Sequence, residues 1–389
     1  MPRIPNVRND KLGQNLYSLL SILESAVYKK RRIKHGDIYL VTQAIPSTTC
    51  HFPNEYAQTS TKKVGALIVN LGTPDAPDFW SIRRYLKEFL SDRRVVDVPV
   101  LLWKVILNLL ILTFRPSKVA KLYKSIWRQD TNESPLRYYT REQGEKLAAA
   151  YEDVPNFQVA WAMRYGNPSI ESQIKKLQAD GCQRLVVVPL YPQYSATTTA
   201  SVNDQVFRCL MKMRWQPTVR IADPYHDHPS YIDALANSIT RHLRSLDWQP
   251  EKILASFHGL PKAYFQKGDP YSCFCQKTVR LLQQALQEGV PPVEITFQSR
   301  MGPREWLRPY TDETIQKLAQ DGIKRLAVIT PGFASDCLET LEEIQIRGRD
   351  LFLENGGIHF TQIPCLNDGP DAIKLLKDIV DQTSLRWNE

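Results

Sequence analysis

The chain has 389 residues, of which 43% are hydrophobic and 23% charged, so it can bury a substantial core in one large domain or two and is composed like a globular protein. Its net charge is +9, but residues 1–63 supply +6 of that, ten Lys or Arg against four acids. The remaining body is only mildly basic, which gives no ground for a nucleic-acid-binding surface.

Residues 1–60 show no regular alternation. Asn15 to Tyr28 has the spacing of one amphipathic helix, followed by Lys29-Lys30-Arg31-Arg32, and the segment is expected to be a basic, poorly ordered extension. It holds no apolar stretch before a small-residue cleavage site, so no secretory leader is expected. Seven cysteines (50, 182, 209, 273, 275, 337 and 365) form no disulfide-like framework, which points to a reducing cytoplasm.

From Lys63 the pattern becomes strands separated by helical segments. Val64–Leu71, Phe157–Met163, Arg184–Leu190 and Thr218–Ala222 form a first set of strands. Lys252–Phe257, Glu294–Gln298, Arg325–Thr330 and Ile358–Gln362 form a second. The two sets echo each other. Asn70-Leu71-Gly72-Thr73-Pro74 parallels Phe257-His258-Gly259-Leu260-Pro261. Arg164-Tyr165-Gly166 parallels Arg300-Met301-Gly302, and Ile174 to Gly181 parallels Ile315 to Gly322. So many matches in one order indicate a duplicated half. The expected fold is α/β: two similar Rossmann-like domains, 63–245 and 246–389, each a four-stranded parallel sheet flanked by helices, with a ligand cleft between them. The C-terminal helix is a candidate to pack back on the first half.

The longest insertion, 72–156, contains an amphipathic helix over Trp80–Phe89 and an apolar lip at 98–114. Lys104, Asn108 and the flanking Arg94 and Arg115 interrupt that stretch, so a membrane-spanning helix is not expected there. The lip is either core or a surface that meets lipid or an apolar ligand.

There is no Gly-rich phosphate loop, no G-x-S-x-G elbow and no H-E-x-x-H zinc motif. His226-Asp227-His228 is read as the cap of a helix beginning near Pro229 rather than as a metal site. What remains is His258, at the carboxyl end of its strand, where α/β sheets bind ligands. Asp336, Glu339 and Glu343, spaced i, i+3 and i+7, would line one helix face, and Glu339 opposite an imidazole could complete an N/O site for a divalent ion. Glu342 is expected in a solvated acidic first turn.

These residues sit in motifs that resemble the ferrochelatases, in a bacterial form. The motifs are Ser256-Phe257-His258-Gly259-Leu260-Pro261, Lys267-Gly268-Asp269-Pro270-Tyr271, Phe297-Gln298-Ser299-Arg300-Met301-Gly302-Pro303-Arg304-Glu305-Trp306-Leu307, Ser335 to Glu343, and Tyr191-Pro192-Gln193-Tyr194-Ser195. The resemblance runs from about Lys63 to the C-terminus. It implies insertion of Fe²⁺, the substrate metal, into protoporphyrin IX to give protohaem, the last step of haem biosynthesis. By resemblance His258 is a metal ligand and proton acceptor, Glu339 its partner, and Asp336 and Glu343 an acidic path. Arg164, Tyr165, Trp306 and Leu71 fall at porphyrin-pocket positions. Relatives carry Met or Tyr at the last of these, and a histidine at Cys337 in animals.

No [2Fe–2S] cluster is expected, since nothing follows Cys365 that could complete four thiolates. The expected partners are the porphyrin and the iron, with no nucleic acid. The expected place is the cytoplasm, with peripheral contact at the inner membrane through the lip at 98–112. The rival readings are a chelatase for another tetrapyrrole, of sirohydrochlorin or cobalt type, and a non-catalytic porphyrin or haem carrier.

Overall fold

A computed structural model describes residues 62–385 and Trp387. The helix expected at Asn15–Tyr28 and the basic run after it lie outside the described residues.

Eight parallel strands form the frame: β1 (Val64–Gly72), β2 (Phe157–Tyr165), β3 (Arg184–Pro189), β4 (Thr218–Ile221), β5 (Lys252–His258), β6 (Val293–Gln298), β7 (Arg325–Ile329) and β8 (His359–Ile363). They make two four-stranded sheets of the same order, β2-β1-β3-β4 and β6-β5-β7-β8. The duplication inferred from the repeats is therefore a duplication of topology. It extends to the turns: Gly181 (φ +90°) and Gly322 (φ +98°) each follow a helix, Ile170–Ala179 and Thr311–Gln320, in the left-handed conformation that closes it.

Strand register makes the equivalence finer. Phe257 pairs with Phe297 and His258 with Gln298, while Leu71 falls between the pairs Asn70–Met163 and Gly72–Tyr165. Further bridges join Met163 to Ser169 and Phe297 to Tyr310. Leu71 and His258 thus occupy one position of the fold, and Arg164 and Gln298 another.

Alternation along the strands decides where the apolar side chains go. Val64, Ala66 and Ile68 of β1 share a single buried core with Ile253, Ala255 and Phe257 of β5. The helices Pro229–Arg244, Tyr271–Ala285 and Pro370–Thr383 close that core. Leu67 and Val69 point the other way, into a second core with Ile170, Ile174 and Val206. In the second half Leu254, Leu326 and Val328 do the same against Ile315, Ile344 and Phe352. Much of the boundary between the halves is therefore solid, and the open space lies at the carboxyl ends of the strands. The C-terminal segment crosses to the first half: Arg184 Nη1 donates to the Trp387 carbonyl at 2.5 Å, and the Arg220 guanidinium lies 4.2 Å from the Trp387 ring.

The insertion folds as a helical layer. Phe79–Leu90 starts at an Asp78 cap that accepts from the Trp80 and Ser81 amides. The helices Val100–Ile106 and Leu112–Ile126 are joined by a π-helical turn, Leu107–Ile111, into one rod of 27 residues. The apolar run, read from the sequence as ending at Phe114, thus continues in one helix to Ile126. By length and composition the rod is sufficient to cross a membrane. Arg115 and Pro116 do not end it: Pro116 lies inside the helix Leu112–Ile126, one turn past the π-helical turn. One face of the rod is nevertheless held by protein: Leu112, Ala120 and Tyr123 bury against Ile82, Tyr85 and Leu86. The opposite face is bare, with Leu101 83%, Leu102 56% and Leu109 65% exposed.

Candidate functional site

His258 is the last residue of β5 and is half-buried. Its Nδ1 lies 2.7 Å from the Gly259 carbonyl, which can only accept, so Nδ1 carries the proton of the neutral ring and Nε2 keeps its lone pair. The chain turns sharply behind it. A Cβ on Gly259 would stand 2.8 Å from the Gln298 carbonyl oxygen and 3.2 Å from Trp306 Cε3, so only glycine fits there. Trp306 is fixed by a bridge to Pro261 and by its Nε1–H, which donates to the Met301 carbonyl at 3.0 Å. Its ring thus leans on the backbone next to His258.

Glu339 reaches the site from the loop after β7. The segment expected as an α-helix is π-helical from Glu339 to Gly348. With i→i+5 bonds, Glu339 and Glu343 come close to one turn apart and share a face. The same spacing corrects the expectation for Glu342. It is 5% exposed and paired with Arg347, five residues on, at 2.9 Å, instead of lying in a solvated first turn. Asp336 precedes the helix and is also buried. Its carboxylate accepts from Thr340 Oγ1 at 2.8 Å, Asn367 Nδ2 at 2.7 Å and Gln362 Nε2 at 3.3 Å. It locks the turn, and does not stand in line with the two glutamates.

Glu343 is clamped as well. Its oxygens accept from the Ser299 amide at 2.8 Å, Ser299 Oγ at 2.5 Å and Gln298 Nε2 at 3.4 Å. Glu339 instead lines a narrow pocket between the halves, with Leu71, Thr73, Tyr85, Tyr123 and Cys337. The pocket has room for about one water. Burial pushes the Tyr85 and Tyr123 hydroxyls well above the usual phenol range, and the nearby Glu339 charge adds to it. Burial likewise raises the Cys337 thiol.

Arg164 and Tyr165, at the end of β2, are wholly buried and committed to Asp92. Arg164 Nη2 lies 2.5 Å from Asp92 Oδ2, and Tyr165 Oη and Ser201 Oγ donate to the same oxygen at 2.8 and 2.6 Å. Burial alone would raise the Asp92 carboxyl; the donors from Ser201, the Arg94 amide, Tyr165 and Arg164 outweigh it and hold the acid below its usual range. These two residues brace the wall that carries the lip. The halves are joined across the site by Asp269, whose Oδ2 accepts from Ser195 Oγ at 2.9 Å and the Ala196 amide at 2.8 Å.

The structure thus brings His258, Trp306, Glu339 and Glu343 to one end of the second sheet and sets Leu71 beside Glu339. It turns Asp336 into the loop and ties Arg164 and Tyr165 to Asp92. Among the described residues no three His, Cys, Asp or Glu side chains converge as a resident metal site. The sequence reading gave no role to Asp92, Ser201, Ser299, Tyr85, Tyr123 or Gln298. Of these, Gln298 carried a usable signal, since it ends the strand that flanks His258. His228 caps the helix at Pro229, as the sequence suggested, its Nδ1 accepting from the Ser230 amide at 3.2 Å.

Comparison with known proteins accords with this arrangement. The fold is similar to that of SirB from Bacillus subtilis with Fe³⁺, at a TM-score of 0.52 and 12% identity, over 84% of this chain and 97% of that one. That likeness concerns the fold alone. The ferrochelatase of Allorhizobium ampelinum is 56% identical over 337 residues, covering 87% of this chain and 98% of the relative. That of Rhizobium meliloti is 57% identical over 325 residues, covering 84% and 96%. A family model described as Ferrochelatase matches residues 63–384, nearly the whole described body. With the family match spanning both halves of the duplication, the chain belongs to the ferrochelatase family.

Proposed function

We propose that this protein inserts Fe²⁺ into protoporphyrin IX, and that it does so between His258 and Glu339. The family and its relatives support the reaction of a metal-inserting lyase. The observation that supports the residue assignment is that His258, its Nε2 lone pair left over by the Gly259 bond, and Glu339 both meet Gln298 at the end of the second sheet. Metallation removes two pyrrole protons from an apolar ring as a dication enters, so one face of the slot must offer a base and anionic charge. The tautomer fixed by Gly259 leaves Nε2 able to accept a proton or hold the metal. Glu339, not clamped like Glu343, supplies the negative charge. Trp306 offers a flat apolar face beside Gly259, and Leu71 lines the pocket that holds Glu339. Fixed donors around Glu343 keep a second carboxylate one turn away, at a distance suited to passing protons or metal along the helix face.

Five cysteines are buried at separate places, Cys182 and Cys209 in one core, Cys275 in another, and Cys337 and Cys365 near Asp336. The bare face of the rod, with Leu101, Val105, Leu109 and Phe114, supports peripheral docking on a cytoplasmic lipid surface, from which a greasy substrate could pass into the slot.

The test is an anaerobic spectrophotometric assay with Fe²⁺ or Zn²⁺ and protoporphyrin IX, for wild type and His258→Ala. Metallation by wild type and a loss of about 100-fold or more in the variant are expected. Porphyrin binding without metallation by wild type would leave a carrier instead, and preference for sirohydrochlorin would leave the other chelatase. Full activity in His258→Ala would remove that residue from the mechanism.

A further inference from the structure

We infer that Gln298 is the positioning residue that fixes His258 and Glu339 relative to each other. This rests on the assignment of those two residues above. Gln298 is 4% exposed and ends β6 directly opposite His258 in the strand register. Its backbone carbonyl accepts from the Gly259 amide at 2.8 Å, which holds the turn behind the imidazole. Its side chain then reaches the other ligand: Nε2 donates to the Glu339 backbone carbonyl at 2.8 Å and lies 3.4 Å from Glu343 Oε2.

The orientation of the amide is dictated by chemistry. A backbone carbonyl and a carboxylate only accept, so the NH₂ end must face them and the oxygen must face away. That oxygen meets Ser256 Oγ at 2.7 Å, and Ser256 is itself backed by Thr311 at 2.8 Å and through it by Thr296 at 2.9 Å. Both ends of the amide are thereby consumed in a place closed to water, where a lost partner is not replaced by solvent. A residue serving only its own sheet would bond along the ladder. This one spans from β5 to the first turn of the π-helix, and its bonds fall on the backbone of Glu339 and leave that carboxylate to the pocket, where the Cys337 thiol is its neighbour. The equivalent position in the first half, Arg164, also holds a loop acid, Asp92, so the same site in the fold secures the strand-end loop twice.

The test is steady-state metallation by the full chain with Zn²⁺ and with Fe²⁺, alongside porphyrin affinity by fluorescence titration. Gln298→Met keeps the volume and deletes both donors. It should raise KM for the metal about 10- to 100-fold, the usual cost of losing an outer-shell partner, with porphyrin affinity within about twofold of wild type. Gln298→Glu keeps the bond from Ser256 but sets an anion against Glu339 O and Glu343. Its loss should be larger at pH 8 and partly recovered at pH 6, where the introduced acid can protonate and donate. Should Gln298→Met not fold, Ser256→Ala loosens the same amide from its far end and should give the same split at about 3- to 10-fold. The inference is overturned if the variants keep the wild-type metal KM while His258→Ala is inactive, or if metal and porphyrin terms fall in the same proportion. Full activity in His258→Ala would instead fault the ligand assignment, and Gln298 would then have nothing to position.

Discussion

The Arg164 guanidinium and the Asp92 carboxylate meet at 2.5 Å with both side chains closed to water, one at the end of β2 and the other just past the helix Phe79–Leu90. Breaking such a pair leaves a buried charge without its counter-ion. Arg164→Met should cost about 3–5 kcal/mol in urea unfolding, whereas Arg164→Met combined with Asp92→Asn should cost distinctly less. Equal losses in the single and double variants would show that packing, not charge, is what Arg164 supplies.

The same acid gives the protein a defined acid limit. Asp92 is held below its usual range in the folded state, so its contribution is complete above the unfolded carboxyl value of about 3.9 and is lost as pH falls through the lower folded value. Wild type should lose stability relative to Asp92→Asn as pH drops below about 4. The two curves should run parallel from pH 5 to 7, as measured by thermal unfolding.

Glu339 and Glu343 share a face of one π-helix but should respond differently to neutralisation. Glu343 accepts from Ser299 twice, so Glu343→Gln turns an NH₂ toward existing donors and should cost about 1–3 kcal/mol. Glu339→Gln gives up only a weak partner of this kind, the Cys337 thiol. It should leave the unfolding midpoint unchanged and suppress metallation, read in the same preparation by calorimetry and by the porphyrin spectrum.

Gly259 is the least replaceable residue near His258. Its added Cβ would sit 2.8 Å from the Gln298 carbonyl oxygen, a backbone atom that cannot swing aside. Gly259→Ala should destabilise by about 1–3 kcal/mol and displace both Trp306 and His258. A drop in metal affinity larger than the drop in stability accounts for is the expected sign.

The rod offers a prediction without a folding cost. Leu101→Glu with Leu109→Glu changes only bare positions, so stability should stay within about 0.5 kcal/mol. Sedimentation with anionic lipid vesicles should fall at least tenfold. Unchanged sedimentation would remove the lip from membrane docking.

Strands and their repeat were legible because a buried parallel strand is a continuous apolar run with hard stops. Each of the eight falls within two residues of its expected bounds. His258 was legible for the same reason, as a polar residue set at such a stop. The acids after β7 were not, because their spacing was read on an α-helical wheel and the segment is closed by i→i+5 bonds. That one change buries Glu342 against Arg347, five residues on, while Glu339 and Glu343 share a face on either wheel. The rod runs on past Pro116 through a π turn that no residue type announces. Asp92 and Gln298 were hidden for a different cause. Their importance lies in partners far away in sequence, Arg164 across 72 residues and Glu339 across 41.

Leu71 and His258 are the same residue of the fold, one in each copy of the sheet. A symmetric pair of imidazoles there would address a flat guest equally from above and below. With an inert side chain in one copy and a basic one in the other, the two strand ends no longer offer the same chemistry. The divergence of one position after duplication is enough to make a symmetric scaffold chemically two-sided.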